Sequence, residues 1–392
     1  FSKKCHCNTD LYIFSICDRT VWIVGRCKTG ICIPWICSIY HLVCSIYHSC
    51  DRDERKRNLG KIVLGEELVI MKKLGLTILA VAAIVSGMIS TKNVAAQTKE
   101  ITVKSEGVQE ITVIQRALDE AKYDDKNHYK ITVEPGKYQM STSKGLHIYS
   151  NTELNLTGVT IQRMLSAPVG GMLVIGDPRR EPGVSTSPGG GYTIGGYDRG
   201  NNITIIGGTL NAGVNTTNVE AVSSLMTFSH VQNVKLKNMT FIYKPKKKDD
   251  AHSIEFGAAK NVVIDRCKFY GNHKIVEALQ LESAEKSVAH SNLMGKEDGT
   301  KTKNVTISNC VFDNFEYAMG ANHGCKKDLY TINIKKNMFK RIQKYAICAY
   351  NFKGTVSDNI VIKSGKKPFA RFVSKKGKKN KLKIKKSNKV RK

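Results

Sequence analysis

The sequence predicts an all-β protein, a right-handed parallel β-helix with a short capping α-helix at its N-terminal end. Three observations predict it. A repeat of about 28 residues runs through the second half of the chain, apolar residues alternate within each copy, and an amphipathic segment at helical spacing precedes the first copy.

The repeat begins at a turn and continues as a strand. Within each copy the apolar residues alternate, as at Val262 and Ile264, which is typical of a strand with one buried face. Successive starts are 31, 28, 43, 27 and 28 residues apart, and the long interval holds a polar insertion at residues 286–303. Strands at this spacing lack hairpin turn signals, so we expect them to stack in parallel on one continuous core. The copies start at Asn202, Asn233, Asn261, Asn304, Thr331 and Asn359.

A second strand precedes most copies and falls in register with its neighbours. One position of this strand is predicted to point outward from the sheet in successive coils, and it is occupied by Thr227, Glu255, Gln280, Gly320 and Cys348.

Two recurring residue types at the turns also have predicted places. The recurring Asn is expected at a turn, where its side chain can bond along the stack. Cys267 and Cys310 share one slot and are expected to stack inside as small apolar residues, with a disulfide between them left open.

The start of the repeat domain has its own signals. Residues 111–122 carry apolar side chains at helical spacing and are expected to cap the open end of the coils. Residues 131–138 and 146–161 then enter the first coils. The Gly- and Pro-rich stretch at residues 164–199 is interpreted as a long loop over the sheet rather than a second domain.

The character of the chain changes at Met71. Lys72 and Lys73, an apolar run from Leu74 to Ile89 and the small residues before Gln97 predict a signal peptide at residues 71–96. A transmembrane anchor is the alternative, but the run is short for a span, which needs about 20 residues. Residues 1–70 hold eight of the twelve cysteines without zinc or disulfide spacing. We interpret them as upstream DNA read through in frame, since Gly65-Glu66-Glu67 has the purine-rich codons of a bacterial ribosome-binding site.

The remaining chain divides into a β-helix domain at residues 97–362 and a basic coil or tail at residues 363–392. Removing the 13 basic and 7 acidic residues before Gln97 lowers the net charge from +29 to +23, and the last thirty residues carry 15 basic and no acidic side chains. We expect this tail to attach to an anionic cell-wall polymer. It is expected to begin as a last charged coil, because residues 380–384 echo the repeat. Nucleic-acid binding is not expected, since few aromatics could stack on bases.

The cap-helix pattern at residues 114–121, the Pro-Gly-x-Tyr turn at Pro135–Tyr138 and the Asn-Val-x-Ile repeats resemble the pectin-lyase-like superfamily over most of residues 101–363. The resemblance implies a secreted protein that acts on or holds an extended polysaccharide. We further expect a monomer and an acidic polysaccharide. Polygalacturonases within it use Asp residues and a His, and here the matching positions hold His252, Glu277 and Tyr317. The scaffold is therefore polygalacturonase-like, but the polygalacturonase catalytic set is absent.

Polar residues nevertheless gather on one predicted face. Rungs lie ~4.8 Å apart and residues along a strand ~3.3 Å apart, so we expect the backbones of Glu255 and Glu282 to lie about 8 Å apart. This distance falls within the range of roughly 6.5–9.5 Å between the two carboxyls of an inverting glycosidase. In a hydrolase, Glu277 or Glu282 would be the general acid and Glu255 the base. The candidate catalytic residues are His252, Glu255, Glu277 and Glu282, and the candidate substrate-binding residues are Gln280, Tyr317, Asn322 and His323.

Two alternatives stay open. In a polysaccharide lyase, His252 or Tyr317 would be the base and the three glutamates would hold Ca²⁺; otherwise no metal or cofactor is expected. In the other alternative the polar residues are only a solvated face, and the protein is a non-catalytic, polysaccharide-binding adhesin at the cell surface.

Overall fold

The computed structural model describes residues 14–16, 19–21, 96–105, 107, 109–141, 145–164, 169–176, 194–213, 222–284, 296–321, 330–365, 368–372 and 381–391. The chain forms two units, Phe1–Asn93 and Val94–Lys392. In the first unit, β1 (Phe14–Ile16) and β2 (Arg19–Val21) pair antiparallel. The predicted read-through segment and signal peptide otherwise lie outside the described residues, apart from Ala96, and stay predictions.

The second unit is a solenoid of parallel strands whose coils have three faces, as in a parallel β-helix. All its strand pairs in the described residues are parallel, and each strand pairs with the corresponding strand one coil later. Crossovers between parallel strands are right-handed in about 98% of cases, so a right-handed winding remains our expectation.

The first face will be called the acidic face, because it carries the predicted carboxylates. Its strands are β7 (Leu146–Ile148), β10 (Val169–Ile175), the first half of β13 (Val222–Lys237), the first half of β15 (Asp249–Asp265), β17 (Ile275–Glu282), β20 (Tyr317–Ala321), β23 (Tyr345–Tyr350) and β26 (Phe369–Phe372).

The second face continues the first through two long strands. β13 and β15 run across both faces and turn at His230 and Ala258, whose φ values are +55° and +66°. The other strands of this face are β3 (Thr98–Val103), β5 (His128–Val133), β8 (Thr152–Asn155), β11 (Gly200–Ile206), β18 (Lys303–Ser308), β21 (Tyr330–Lys335), β24 (Phe352–Ser357) and β27 (Lys381–Ile384).

The third face is a separate sheet of ten short strands. These are β4 (Gln109–Glu110), β6 (Gly136–Met140), β9 (Val159–Arg163), β12 (Thr209–Asn211), β14 (Thr240–Ile242), β16 (Lys268–Tyr270), β19 (Val311–Asp313), β22 (Met338–Ile342), β25 (Ile360–Ser364) and β28 (Lys389–Arg391).

The core lies inside the coils and is built from stacked equivalent residues. Phe241, Phe269, Phe312 and Phe339 follow one another from coil to coil with ring centroids 4.8, 4.6 and 5.2 Å apart. This spacing matches the distance of about 4.8 Å between neighbouring strands, so each ring packs on the next and the predicted register is confirmed.

The single α-helix of the described residues, α1 (Thr112–Asp119), is shorter than the predicted segment. Its buried side chains Ile114, Ala117 and Leu118 belong to the same core as the strands. The apolar stripe therefore faces the core as expected, and its role as the cap of the open end remains a prediction. No helix among the described residues is long and apolar enough to cross a membrane.

The prediction of a loop at residues 164–199 is wrong for one part of this stretch. Strand β10 lies inside it and pairs with both β7 and β13 on the acidic face. The two glycines at positions 170 and 171 suggested a loop, but the apolar run Met172–Ile175 that follows them is buried and completes the coil. Residues 177–193 of the same stretch lie outside the described residues.

The cysteines and the basic end also have definite places. Cys267 and Cys310 are buried and not bonded to each other, as small apolar residues of the stack would be.

At the C-terminal end, β27 pairs with β24 and β28 with β25, so the end of the basic segment continues the coils.

Candidate functional site

Two rows of polar side chains cross the acidic face. In the first row, Ser224, His252, Glu277 and Tyr317 are register partners on β13, β15, β17 and β20. On each strand an apolar residue, such as Ile254, follows two positions later. These apolar residues stack in the core and fix the register of the row.

The second row lies three residues further along the same strands. Thr227, Glu255, Gln280 and Gly320 are register partners in four successive coils, as the sequence predicts. Glu282 pairs with Gly257, one coil over and two residues along from Glu255. The structure thus brings all four candidate catalytic residues onto two neighbouring strands, β15 and β17.

Burial distinguishes this site from a solvated surface. His252 is 6%, Glu255 0%, Glu277 8% and Glu282 1% exposed. The interpretation of these carboxylates as an ordinary solvated face is therefore wrong. Alternation along a strand predicts on which side a residue lies, but it does not predict what covers that side.

The pKa of the Glu277 carboxyl is strongly raised. Burial, together with repulsion from the nearby Glu316 carboxylate, raises the pKa of Glu277 from 4.5 to about 8. Its Oε2 atom lies 3.8 Å from Nδ1 of His252. At neutral pH this carboxyl is therefore mostly protonated, and it can donate a proton.

Gly320 makes the space that the Glu277 carboxyl occupies. A Cβ atom added to Gly320 would lie 2.1 Å from Oε1 of Glu277 and 2.6 Å from its carboxyl carbon. No side chain larger than hydrogen fits there unless Glu277 moves. Gly320 is therefore required at this position if the Glu277 carboxyl is to keep its place.

The other two carboxylates accept hydrogen bonds from neighbouring side chains. Ser224 donates its hydroxyl to Oε2 of Glu255 at 2.7 Å, across one coil. Gln280 donates its amide to Oε1 of Glu282 at 2.9 Å, so this predicted substrate-binding residue positions a carboxylate. Thr302 donates to the backbone oxygen of Glu282 at 2.7 Å.

A charged and aromatic group lies beside Glu277, and of its members only Tyr317 was predicted from the sequence. Glu316, 7% exposed, forms ion pairs with Lys248, at 3.6 Å, and with Lys344. The Lys344 ammonium also lies 5.2 Å from the centre of the Tyr317 ring, which stacks on Tyr345 at 5.9 Å. A signal for this group exists in the sequence, because a charged residue precedes a tyrosine at both 316–317 and 344–345, one repeat apart.

Two candidate substrate-binding residues, Asn322 and His323, lie outside the described residues, so their role stays a prediction. In the described part of the chain no three His, Cys, Asp or Glu side chains converge as metal ligands. Burial raises the pKa of the Cys348 thiol to about 12, so this thiol stays protonated and is not a nucleophile at neutral pH.

No protein-family model and no curated protein sequence matches the chain. Among solved structures it is similar to two structures of PfbA, a surface adhesin of Streptococcus pneumoniae. The two structures are 21% and 20% identical to this chain, with TM-scores of 0.50 and 0.52. Each match covers 68% of this chain, and the chain spans 62% and 67% of the two PfbA chains. An exopolygalacturonase of family 28 from Yersinia enterocolitica is similar at 12% identity over 74% of this chain and 68% of that one, with a TM-score of 0.33. The chain therefore has the fold of the pectin-lyase-like parallel β-helix proteins.

Proposed function

We propose that the protein is an extracellular or surface protein that binds an extended acidic polysaccharide on its acidic face and hydrolyses it with inversion. The observation that carries the proposal is the place of Glu277, which is 8% exposed, lies 3.8 Å from His252 and belongs to the strand next to that of Glu255. Burial and Glu316 raise its pKa to about 8. A general acid must hold its proton at the working pH, and a glycosidase achieves this by burying one carboxyl of a pair.

In the proposed mechanism Glu277 protonates the leaving glycosidic oxygen. Glu255, held by the Ser224 hydroxyl, accepts a proton from the water that attacks the opposite side of the sugar. Glu282 is the alternative acid, but the Gln280 amide that donates to it suits a carboxylate acceptor better than a proton donor. Glu255 is 0% exposed, so in this mechanism the side chains around it have to move before water can reach its carboxylate.

An acidic rather than neutral sugar is favoured by the group around Glu316. Lys248 and Lys344 carry two positive charges and Glu316 one negative charge, so one positive charge is in excess. It lies beside the half-buried rings of Tyr317 and Tyr345. An aromatic ring can stack on the apolar face of a pyranose, and an adjacent ammonium can bind its carboxylate. The arrangement is therefore suited to a uronate.

The second candidate function is binding without cleavage. Glu255 and Glu282 are buried and hydrogen-bonded within the protein, as structural carboxylates are. The likeness to the surface adhesin PfbA over two thirds of the chain supports this candidate at the level of the fold. In that case the acidic face would be a rigid scaffold for a recognition surface.

The test is incubation of the protein with a panel of acidic and neutral polysaccharides. New reducing ends without ultraviolet absorbance of unsaturated uronates would establish hydrolysis, which is our expectation for an acidic polymer. Unsaturated products, especially calcium-dependent ones, would instead establish a lyase. Retardation in gels that contain one polymer, without any product, would establish the binding function and contradict hydrolysis.

A further inference from the structure

The C-terminal coils carry a group of exposed cations on ordered strands. We define the cationic end as β24, β25, β27 and β28. The register pairs Lys353 with Lys381 on the second face, and Ile360 with Lys389 on the third. Leu382 is 2% exposed and belongs to the core, which fixes the lysines on either side of it.

The strand geometry spaces these charges regularly. Lys381 and Lys383 are exposed on either side of the buried Leu382, so their backbones lie about 6.6 Å apart along the strand. Lys353 lies one coil below Lys381, at about 4.8 Å. Lys389 and Arg391 are exposed on the adjoining third face. The charges therefore form a two-dimensional array.

The array has almost no acidic partners. Asp358 is the only acidic residue from Tyr330 to the end of the chain, and it is exposed. Elsewhere in the solenoid several exposed cations have acidic partners, as Lys99 has in Asp124 at 3.3 Å and Arg341 in Asp313 at 2.7 Å. Among the ion pairs of the described residues, none involves a cation of the cationic end.

Like charges held this close repel each other and oppose folding of the segment that carries them. Lysines on a terminal strand can also protect an open sheet edge against aggregation. Edge protection, however, requires charge only on the outermost strands, which among the described strands are β27 and β28. Here the exposed Lys335, Lys353 and Lys363 extend the array into earlier coils.

We propose that the cationic end is a second binding site, for an extended anionic glycan that carries carboxylates or phosphates at regular intervals. It lies on the second and third faces, whereas the candidate catalytic residues lie on the acidic face. The site would hold the protein on an anionic glycan independently of cleavage.

The test is the affinity of the full chain for two immobilised glycans, sodium polygalacturonate and poly(glycerol phosphate), which separate carboxylate from phosphate recognition. The end variant replaces Lys353, Lys381, Lys383 and Lys389 by Gln. The control variant replaces four exposed lysines of other coils, Lys104, Lys126, Lys137 and Lys268, by Gln and changes the net charge equally.

We expect the end variant to lose about tenfold or more in affinity for at least one glycan, and the control variant to stay within about twofold. Asp358→Asn, which keeps a residue that tolerates the positive φ of +57° at this position, should bind more tightly. Since it adds affinity, it tests the proposal even if the end variant does not fold. Hydrolysis of short soluble oligosaccharides should be the same in all variants.

Three results would overturn the proposal. Equal losses in the end and control variants would mean that net charge alone drives binding. Undiminished binding by the folded end variant would exclude the cationic end from the interaction. Tighter binding to duplex DNA of similar length than to either glycan would identify a nucleic-acid site instead.

Discussion

Glu277 shows how far a single side chain departs from its ordinary chemistry in this fold. The carboxyl is buried, so its charged form loses hydration, and Glu316 adds repulsion. Its proton is therefore retained well above pH 4.5. The sequence alone could not rank the three candidate glutamates, and the raised pKa makes Glu277 a candidate for the general acid.

The stability of the protein should depend on this proton. Between pH 4.5 and about 8, folded Glu277 keeps a proton that the unfolded chain releases, so its contribution to the free energy of unfolding falls as pH rises. Glu277→Gln removes this dependence. Urea unfolding at pH 5, 7 and 9 should show the variant gaining stability relative to the wild type as pH rises. The exposed Glu120→Gln is the control, and parallel curves for wild type and Glu277→Gln would contradict the assignment.

Gly320→Ala tests whether the carboxyl needs the space above the glycine. The new Cβ would overlap Oε1 of Glu277, which is the end of a flexible side chain, so the carboxyl should move while the backbone stays. We expect a loss of turnover of about tenfold or more with a stability loss of only about 1 kcal/mol. In a Glu277→Ala background the same glycine substitution should cost no stability, and an equal cost in both backgrounds would refute the contact.

At the scale of the element, asparagines stabilise two corners of the solenoid, each over several successive coils. At the corner that leads into the second face, Asn261 donates to Asn233 at 3.0 Å and Asn304 donates to Asn261 at 3.1 Å. These asparagines adopt positive φ values near +55°, which their short polar side chains tolerate. The sequence predicted this ladder, because the same residue recurs where a turn is required.

A second ladder lies at the corner between the second and third faces and was not predicted. Asn337 donates to Asn359 at 3.0 Å, and Asn359 donates to Asn388 at 2.9 Å. In earlier coils the equivalent slot holds Cys267 and Cys310, and Cys310 donates its backbone N–H to Asn337 at 2.9 Å. Because the residue type changes along the stack, the pattern is hidden from a comparison of repeats.

Asn337→Ala should be among the most destabilising substitutions at the corners. It removes a buried side chain that accepts from Cys310 and donates to the backbone oxygen of Ile307 at 3.0 Å. Leaving both groups unsatisfied should cost about 2–4 kcal/mol, measured by denaturant unfolding. The exposed Asn333→Ala serves as control, with an expected change of about 0.5 kcal/mol or less. Similar effects for the two would show that the ladder adds no stability.

At the scale of the whole molecule, periodicity predicts the solenoid well and its surface poorly. The spacing of the repeats yields parallel coils and the register of Glu255 and Gln280, because stacked apolar residues such as Phe269 tolerate no slip. Strand β10 escaped prediction because its glycines mask the alternation. The Glu316 group escaped because it lies at a corner, where neither helical nor strand periodicity applies.

The distribution of function over the molecule follows from the same architecture. Each face repeats its outward positions coil after coil, so one face can concentrate carboxylates while another end concentrates lysines. The acidic face holds the proposed site of cleavage, and the cationic end holds the proposed second glycan site. Cleavage and retention should therefore be separable by substitution.

The most direct test of the central claim compares wild type and Glu277→Gln in the release of reducing ends from the acidic polysaccharide that the protein binds. With Glu277 as general acid, the variant should lose about 10²–10⁴-fold in turnover, while its retardation in gels of the same polymer stays unchanged and Glu120→Gln keeps full activity. Undiminished turnover by folded Glu277→Gln would contradict the account.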